Sequence, residues 1–242
     1  MLICANPNIP IYHYSSPPLI VYFKRPILRG KDIKRYKYNF SNLWIIAIPC
    51  GFTNKNASNN KNKEKWFKEN YSVIYKYFVE KETFLSFQRS PGAKGLYKRD
   101  DQGDYWWELR SCKYMNDFNK QKIMYPCIMS KEPCFIIDEL AKYYTIAPGN
   151  IITGSNLKYL LALLNSKTYY FALRKFYMGG GIEGELKTNR LLILPLPNGN
   201  SNFIKLIENN LELNDFSELE NNIQKFIKLS EEEINYINNY TY

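Results

Sequence analysis

The apolar residues of this chain come in short runs, each closed by proline, glycine or a polar turn, and that punctuation limits what it can fold into. LIVYF (19–23), LWIIAI (43–48), KIMYPCI (122–128), CFIID (134–138), KYYTIA (142–147) and LLILPLP (191–197) are all of strand length. Runs of this kind between turn signals read as short buried strands. None approaches the roughly 18 consecutive apolar residues of a membrane-spanning helix. Two longer segments carry a helical period instead. Trp66, Phe67, Tyr71, Ile74 and Phe78 make one stripe over 63–82. Leu157, Leu160, Leu161, Leu164, Thr168, Phe171 and Ala172 make another over 156–176, with Ser155 placed to cap it and MGGGIEG (178–184) to end it. Beyond 200, Phe216, Leu219, Ile223, Phe226 and Ile227 share a face, and Ser230 with Glu233 spells a capping box. The expectation is a mixed α/β (α+β) fold: a mixed sheet with packed helices over 1–198, then a helical tail over 199–242.

A chain of 242 residues that is 45% hydrophobic and 16% aromatic can bury a core, which excludes wholesale disorder. Its charge is lopsided. The net is +10, yet residues 201–242 hold three lysines and eight acids, so residues 1–200 carry +15. A basic body of that size seeks a polyanion, nucleic acid first and a membrane surface second. MLICANPNIPIYHYSSPP at the N-terminus lacks a basic n-region and is not read as a signal peptide. Cys4, Cys50, Cys112, Cys127 and Cys134 are odd in number and contain no C-x-x-C, which argues against a disulfide framework or a zinc site. The expected compartment is the cytoplasm. His13 is the single histidine, and packing suits it better than catalysis. There is no phosphate-binding P-loop and no G-x-S-x-G nucleophile elbow. The triple glycine at 179–181 therefore reads as a loop.

Three basic stretches remain. Lys24, Arg25, Arg29, Lys31, Lys34, Arg35 and Lys37 put seven cations in fourteen residues, interleaved with Tyr36 and Tyr38. Such a stretch can neutralise phosphates and fork to guanine; an ordinary solvated basic turn accounts for the charge equally well. Gln88, Arg89, Lys94, Lys98 and Arg99 form a second stretch, loosened by Gly92 and Gly95. Arg174, Lys175, Tyr177, Lys187, Asn189 and Arg190 form a third. Between them, YWWELRSC (105–112) reads as an aromatic strand with Trp106 and Trp107 on opposite faces, at least one of them in the core. Asp100, Asp101, Asp104 and Glu108 could gather around Mg²⁺ in a nuclease, but charge runs are more often solvated loops.

RPILRGKDIKRY (25–36), YWWELRSC (105–112), KIMYPCI (122–128), YLLALLNSK (159–167) and LLILPLP (191–197) occur in an order that resembles the TaqI-like C-terminal specificity domain. That domain is the target-recognition part of N6-adenine DNA methyltransferases and of fused type IIG restriction–modification enzymes. IQKFIKLSEEEINYI (223–237) also resembles the helical tail of the fused enzymes, so the resemblance runs from about residue 20 to the end. It implies double-stranded DNA as partner, with loops entering the major groove. The residues it would use are Arg25, Arg29, Lys31, Lys34 and Arg35 in the first loop, Gln88, Arg89, Lys94, Lys98 and Arg99 in the second, and Arg174, Lys175 and Lys187 in the third. Arg110, Asn165 and Ser166 fall in the family motifs as structural residues, with Asn165 expected to bond backbone locally. The family's engine is missing from these residues. The sole Pro-Pro is Ser16-Pro17-Pro18-Leu19, without the Asn and aromatic of an Asn-Pro-Pro-Tyr motif, and no Asp/Glu-x-Lys nuclease core stands in a strand setting. The resemblance therefore implies a recognition half, truncated or separately encoded. S-adenosylmethionine and Mg²⁺ would belong to a partner methyltransferase or nuclease domain, with no cofactor or metal in this chain. Two alternatives stay open: a free-standing Mg²⁺-dependent nuclease using the four acids, and a type I-like specificity subunit whose helical tail docks on partner chains.

Overall fold

The computed structural model describes residues 3–4, 23–80, 95–129, 131–179 and 182–240. The architecture is mixed α/β, as the punctuation of the sequence implies, with helices and two small sheets. No helix among the described residues is long and apolar enough to cross a membrane. The chain forms two compact units, residues 1–27 with 42–116 and residues 28–41 with 117–242.

In the first unit, β3 (Trp44–Ile46) pairs antiparallel with both β1 (Ile3–Cys4) and β2 (Lys24–Leu28). LWIIAI is thus a strand as expected, whereas KRPIL, expected in a basic turn, is a strand too. Its charged ends are tolerated because their stems lie along the sheet, with Lys24 Nζ 4.5 Å from the centre of the Trp44 ring. Three helices follow: α1 (Phe52–Asn56), α2 (Lys63–Asn70) and α3 (Ser72–Glu80). The single helix expected over 63–82 breaks at Tyr71, whose backbone leaves the helical region at φ −128°, ψ 42°. Tertiary packing overrides the period here. The Tyr71 ring meets Phe23, Phe52, Trp66 and Phe67 at 5.2–5.7 Å between centroids.

YWWE is not a strand either. Glu108 N–H donates to the Tyr105 carbonyl at 2.9 Å, closing a turn. A turn sends successive side chains to the same side, so both indoles are buried instead of one. Trp107 lies between Phe67 (4.8 Å, 10° between planes) and Tyr105 (4.9 Å, 7°), and its Nε1–H donates to Thr53 Oγ1. Buried indole N–H groups need such a partner.

The second unit is built on β4 (Lys122–Pro126), buried at every position, with β5 (Ile136–Asp138) and β7 (Gly149–Ile152) antiparallel on its two sides; β6 (Tyr144–Thr145) lies in the connection. Helices α4 (Leu157–Asn165), α5 (Lys167–Ala172), α6 (Thr188–Leu191), α7 (Ser201–Glu212), α8 (Phe216–Phe226) and α9 (Glu231–Asn239) complete it. The continuous helix expected over 156–176 is interrupted at Ser166, which turns extended (ψ 152°) and caps α5 by accepting from Tyr169 N–H. The cap of α4 is Asn156 in the left-handed region, not Ser155. LLILPLP, expected as a strand, is the end of α6 followed by irregular chain, because Pro195 and Pro197 have no N–H to give a ladder. Their carbonyls accept from the Tyr169 and Tyr159 hydroxyls instead. The 199–242 helices turn their apolar stripe onto this unit: Phe203, Ile207, Leu219 and Ile223 are buried with Leu161 and Leu164, and Phe203 stacks on Phe226 at 3.7 Å. The Ser230–Glu233 capping box forms as the sequence implies.

Candidate nucleic-acid interface

Residues 29–41 of the second unit fold as a tight hairpin. The base is clamped by one buried carboxylate. Asp32 accepts from Arg29 Nε and Nη2 (2.9 Å each), from Arg29 N–H (2.9 Å) and from Ser41 Oγ–H (2.7 Å). Burial alone would raise the Asp32 carboxyl, but these bonds hold it below its usual range. The stem is closed by Asn39 N–H to the Asp32 carbonyl and Lys34 N–H to the Lys37 carbonyl, both 2.8 Å, with Ile33 bridged to Tyr38. Ile33 points inward, where it joins Leu28, Met124, Ile136 and Tyr143.

The tip is bent back into the unit. Arg35 Nε–H donates to the Asn165 carbonyl at 3.0 Å, and Tyr36 N–H to the Phe135 carbonyl at 3.1 Å. The Tyr36 ring stacks on Phe216 at 4.5 Å, 12° between planes. Asn165 itself is fully buried, and its amide both donates to and accepts from the Phe135 backbone. It therefore ties α4 to a segment thirty residues away, where a local backbone bond was expected. Tyr36 has φ 58°, a left-handed conformation that a bulky residue holds only where its surroundings impose it. Facing outward are Lys31, Lys37, Tyr38 and Asn39, all exposed, while Lys34 is half-buried.

A second segment lies beside the hairpin that the charge pattern did not single out. Tyr38 meets Tyr143 edge-on at 5.1 Å, and exposed Lys142 holds its Nζ 5.1 Å from the centre of the Tyr143 ring. Lys142 and Tyr143 are fixed through their N–H groups by Asp138 at 3.0 and 2.7 Å. Asp138 in turn pairs across the sheet with buried Lys122 at 2.7 Å. A lone lysine before two tyrosines gave no charge signal; Asp138 four residues earlier, a turn-forming side chain, was the available clue.

The other expected contact residues are distributed as follows. Gln88, Arg89 and Lys94 lie outside the described residues. Arg25 and Lys98–Arg99 belong to the first unit. Arg25 Nη1–H donates to the Lys24 carbonyl. Lys98 is exposed, but Arg99 is drawn inward: its guanidinium donates to the carbonyls of Asp101, Trp106 and Glu108. In the second unit, Arg174 pairs with Glu183 at 2.8 Å, Lys175 Nζ stands 4.2 Å from the centre of the Tyr240 ring, and Lys187 lies 3.8 Å from Glu185. Within that unit the arginines of the first and third stretches are engaged with protein groups, and the lysines Lys31, Lys175 and Lys187 are exposed.

The four acids proposed for Mg²⁺ do not act as a set. Glu108 is fully buried and accepts from the N–H groups of Gly51, Thr53 and Asp104 at 2.8–3.1 Å, so it caps the start of α1. Asp104 accepts from Asn54 Nδ2–H at 2.7 Å and from the Cys50 thiol. Asp101 lies 3.6 Å from Arg99. One oxygen of Asp104, one of Glu108 and Cys50 Sγ fall within 4.8 Å of one another. Burial and the bond to Asp104 push the Cys50 thiol up, which keeps it a donor to carboxylate, not a thiolate ligand.

The family model described as the TaqI-like C-terminal specificity domain is similar to this chain over residues 25–196. No curated protein matches the chain.

Proposed function

The chain belongs to the TaqI-like C-terminal specificity domain family, a family of DNA-recognition domains in restriction–modification enzymes, and from that premise we propose how it works. It is the target-recognition component of a type IIG-like system that acts on double-stranded DNA in the cytoplasm. Adenine-N6 methylation and any cleavage are carried out by a catalytic domain in another part of the protein or in another chain. S-adenosylmethionine and Mg²⁺ belong to that domain. Phosphate contacts set register here, and a few base-edge contacts set sequence.

The observation that carries this reading is the pre-folded basic hairpin 29–41, whose base and tip are bonded to its own unit while Lys31, Lys37 and Asn39 face outward. A rigid arm limits the ordering cost of binding. The acids of the nuclease alternative do not compete well, since Glu108 is spent on a helix cap. Gel-shift titration with random-sequence duplex DNA across a salt series tests the proposal. Affinity should fall steeply with salt, log K dropping by roughly 0.9 per phosphate neutralised for each tenfold rise. No binding at low salt, or a flat salt response, contradicts it.

A further inference from the structure

Resting on that reading, we propose a division of labour within the hairpin that charge alone does not reveal. Arg29, Arg35 and Tyr36 are positioning residues, and Lys37, Asn39 and Lys142 are the DNA-contacting edge.

The geometry separates the two groups. Arg29 commits Nε and Nη2 to Asp32 and Nη2 also to Ser41. Arg35 reaches the Asn165 carbonyl, and Tyr36 is stacked on Phe216 and bonded through its N–H to Phe135. An arginine spent on buried acceptors would have to leave them unsatisfied in order to fork to a base or phosphate, at a cost comparable to the contact it would gain. The other edge of the hairpin is different. Lys37 and Asn39 are exposed one residue either side of Tyr38. Alternation along an extended segment points both to the face opposite Tyr38 or beside it in a twisted stem. Tyr38 abuts Tyr143, and Tyr143 carries Lys142.

Lys142 does not reach this position by chance of a flexible loop. Its backbone and that of Tyr143 are bonded to Asp138, which is locked to Lys122 in the sheet. Two lysines supported by one aromatic pair can neutralise phosphates. An asparagine amide beside them offers the donor–acceptor pair that reads adenine N6 and N7 in the major groove. Loops of this kind, carried by a rigid scaffold, are where recognition residues collect.

The test uses the full chain and random-sequence duplex DNA over a salt series, with thermal melting of every variant. Lys37→Ala and Lys142→Ala are each expected to melt like the parent and to reduce the salt slope by about 0.9. Lys65→Ala, an exposed lysine of the first unit, should leave the slope unchanged. Arg35→Ala should weaken binding while keeping the parent slope, because Arg35 makes no phosphate contact. In a sequence selection, Asn39→Ala should lose preference at one position by roughly 5- to 150-fold. Parent slopes in both the Lys37 and Lys142 variants overturn the assignment of the edge. A slope reduced by about one unit in Arg35→Ala overturns its role as an anchor. If Arg35→Ala does not fold, the two lysine variants still decide. Failure of the parent chain to bind any duplex overturns the specificity reading itself, a result distinct from either.

Discussion

Two buried glutamates do the same task in this protein, and neither is a catalytic acid. Glu108 receives the N–H groups of Gly51 and Thr53 at the start of α1. Glu220 receives those of Lys167 and Thr168 at the start of α5, along with the Thr168 hydroxyl. Each satisfies donors that a helix terminus leaves orphaned and places negative charge at the positive end of the helix. Replacing Glu108 with Gln swaps one acceptor oxygen for a donor that faces N–H groups. Glu108→Gln is therefore expected to lower stability by about 1–3 kcal/mol in urea unfolding. A ligand role would leave stability nearly unchanged and weaken Mg²⁺ binding, so an unaltered urea midpoint contradicts the cap. Sequence spacing could bring Asp104 and Glu108 together but could not say that backbone donors from 51–53 arrive first.

At the scale of elements, the hairpin and α8 are joined by a phenol. Burial lifts the Tyr36 hydroxyl to about 12. A raised pKa means the folded state holds its proton where the unfolded chain has begun to release it. The stability this gives is present below about pH 10 and is lost as pH rises towards about 12. Tyr36→Phe should remove that alkaline loss, read as a shallower fall in the melting midpoint between pH 10 and pH 12; an identical fall in both proteins contradicts it. The same element shows what a sequence can and cannot disclose. The cations of 24–37 were plain, and so were α4 from its leucine stripe and the start of α9 from Ser230 and Glu233. The breaks at Tyr71 and Ser166 were not, because the helical period continues through both and the interruption is set by distant rings and by a cap. Nor was the commitment of Arg29 and Arg35, since their partners, Ser41 apart from Asp32 and Asn165 from far along the chain, are not helical neighbours. Trp106 and Trp107 were misplaced for a related reason: a turn, not a strand, carries them.

For the molecule as a whole, each unit has its own aromatic or leucine-rich core, and the acidic 201–242 helices are spent covering the second of them. That leaves the excess of cations in residues 1–200 without an acidic counterweight in their own stretch of sequence. Membership of a specificity-domain family gives that excess its use, and the absence of an Asn-Pro-Pro-Tyr motif from the sequence assigns catalysis to another polypeptide segment. Charge alone would make a binder of any polyanion; a specificity domain must also discriminate. Selection of bound fragments from randomised duplex DNA at moderate salt measures that directly. The fragments retained by the full chain should share one short common sequence, enriched round by round over the input. A retained pool as random as the starting pool would reduce this protein to a non-specific cation and contradict its role in target recognition.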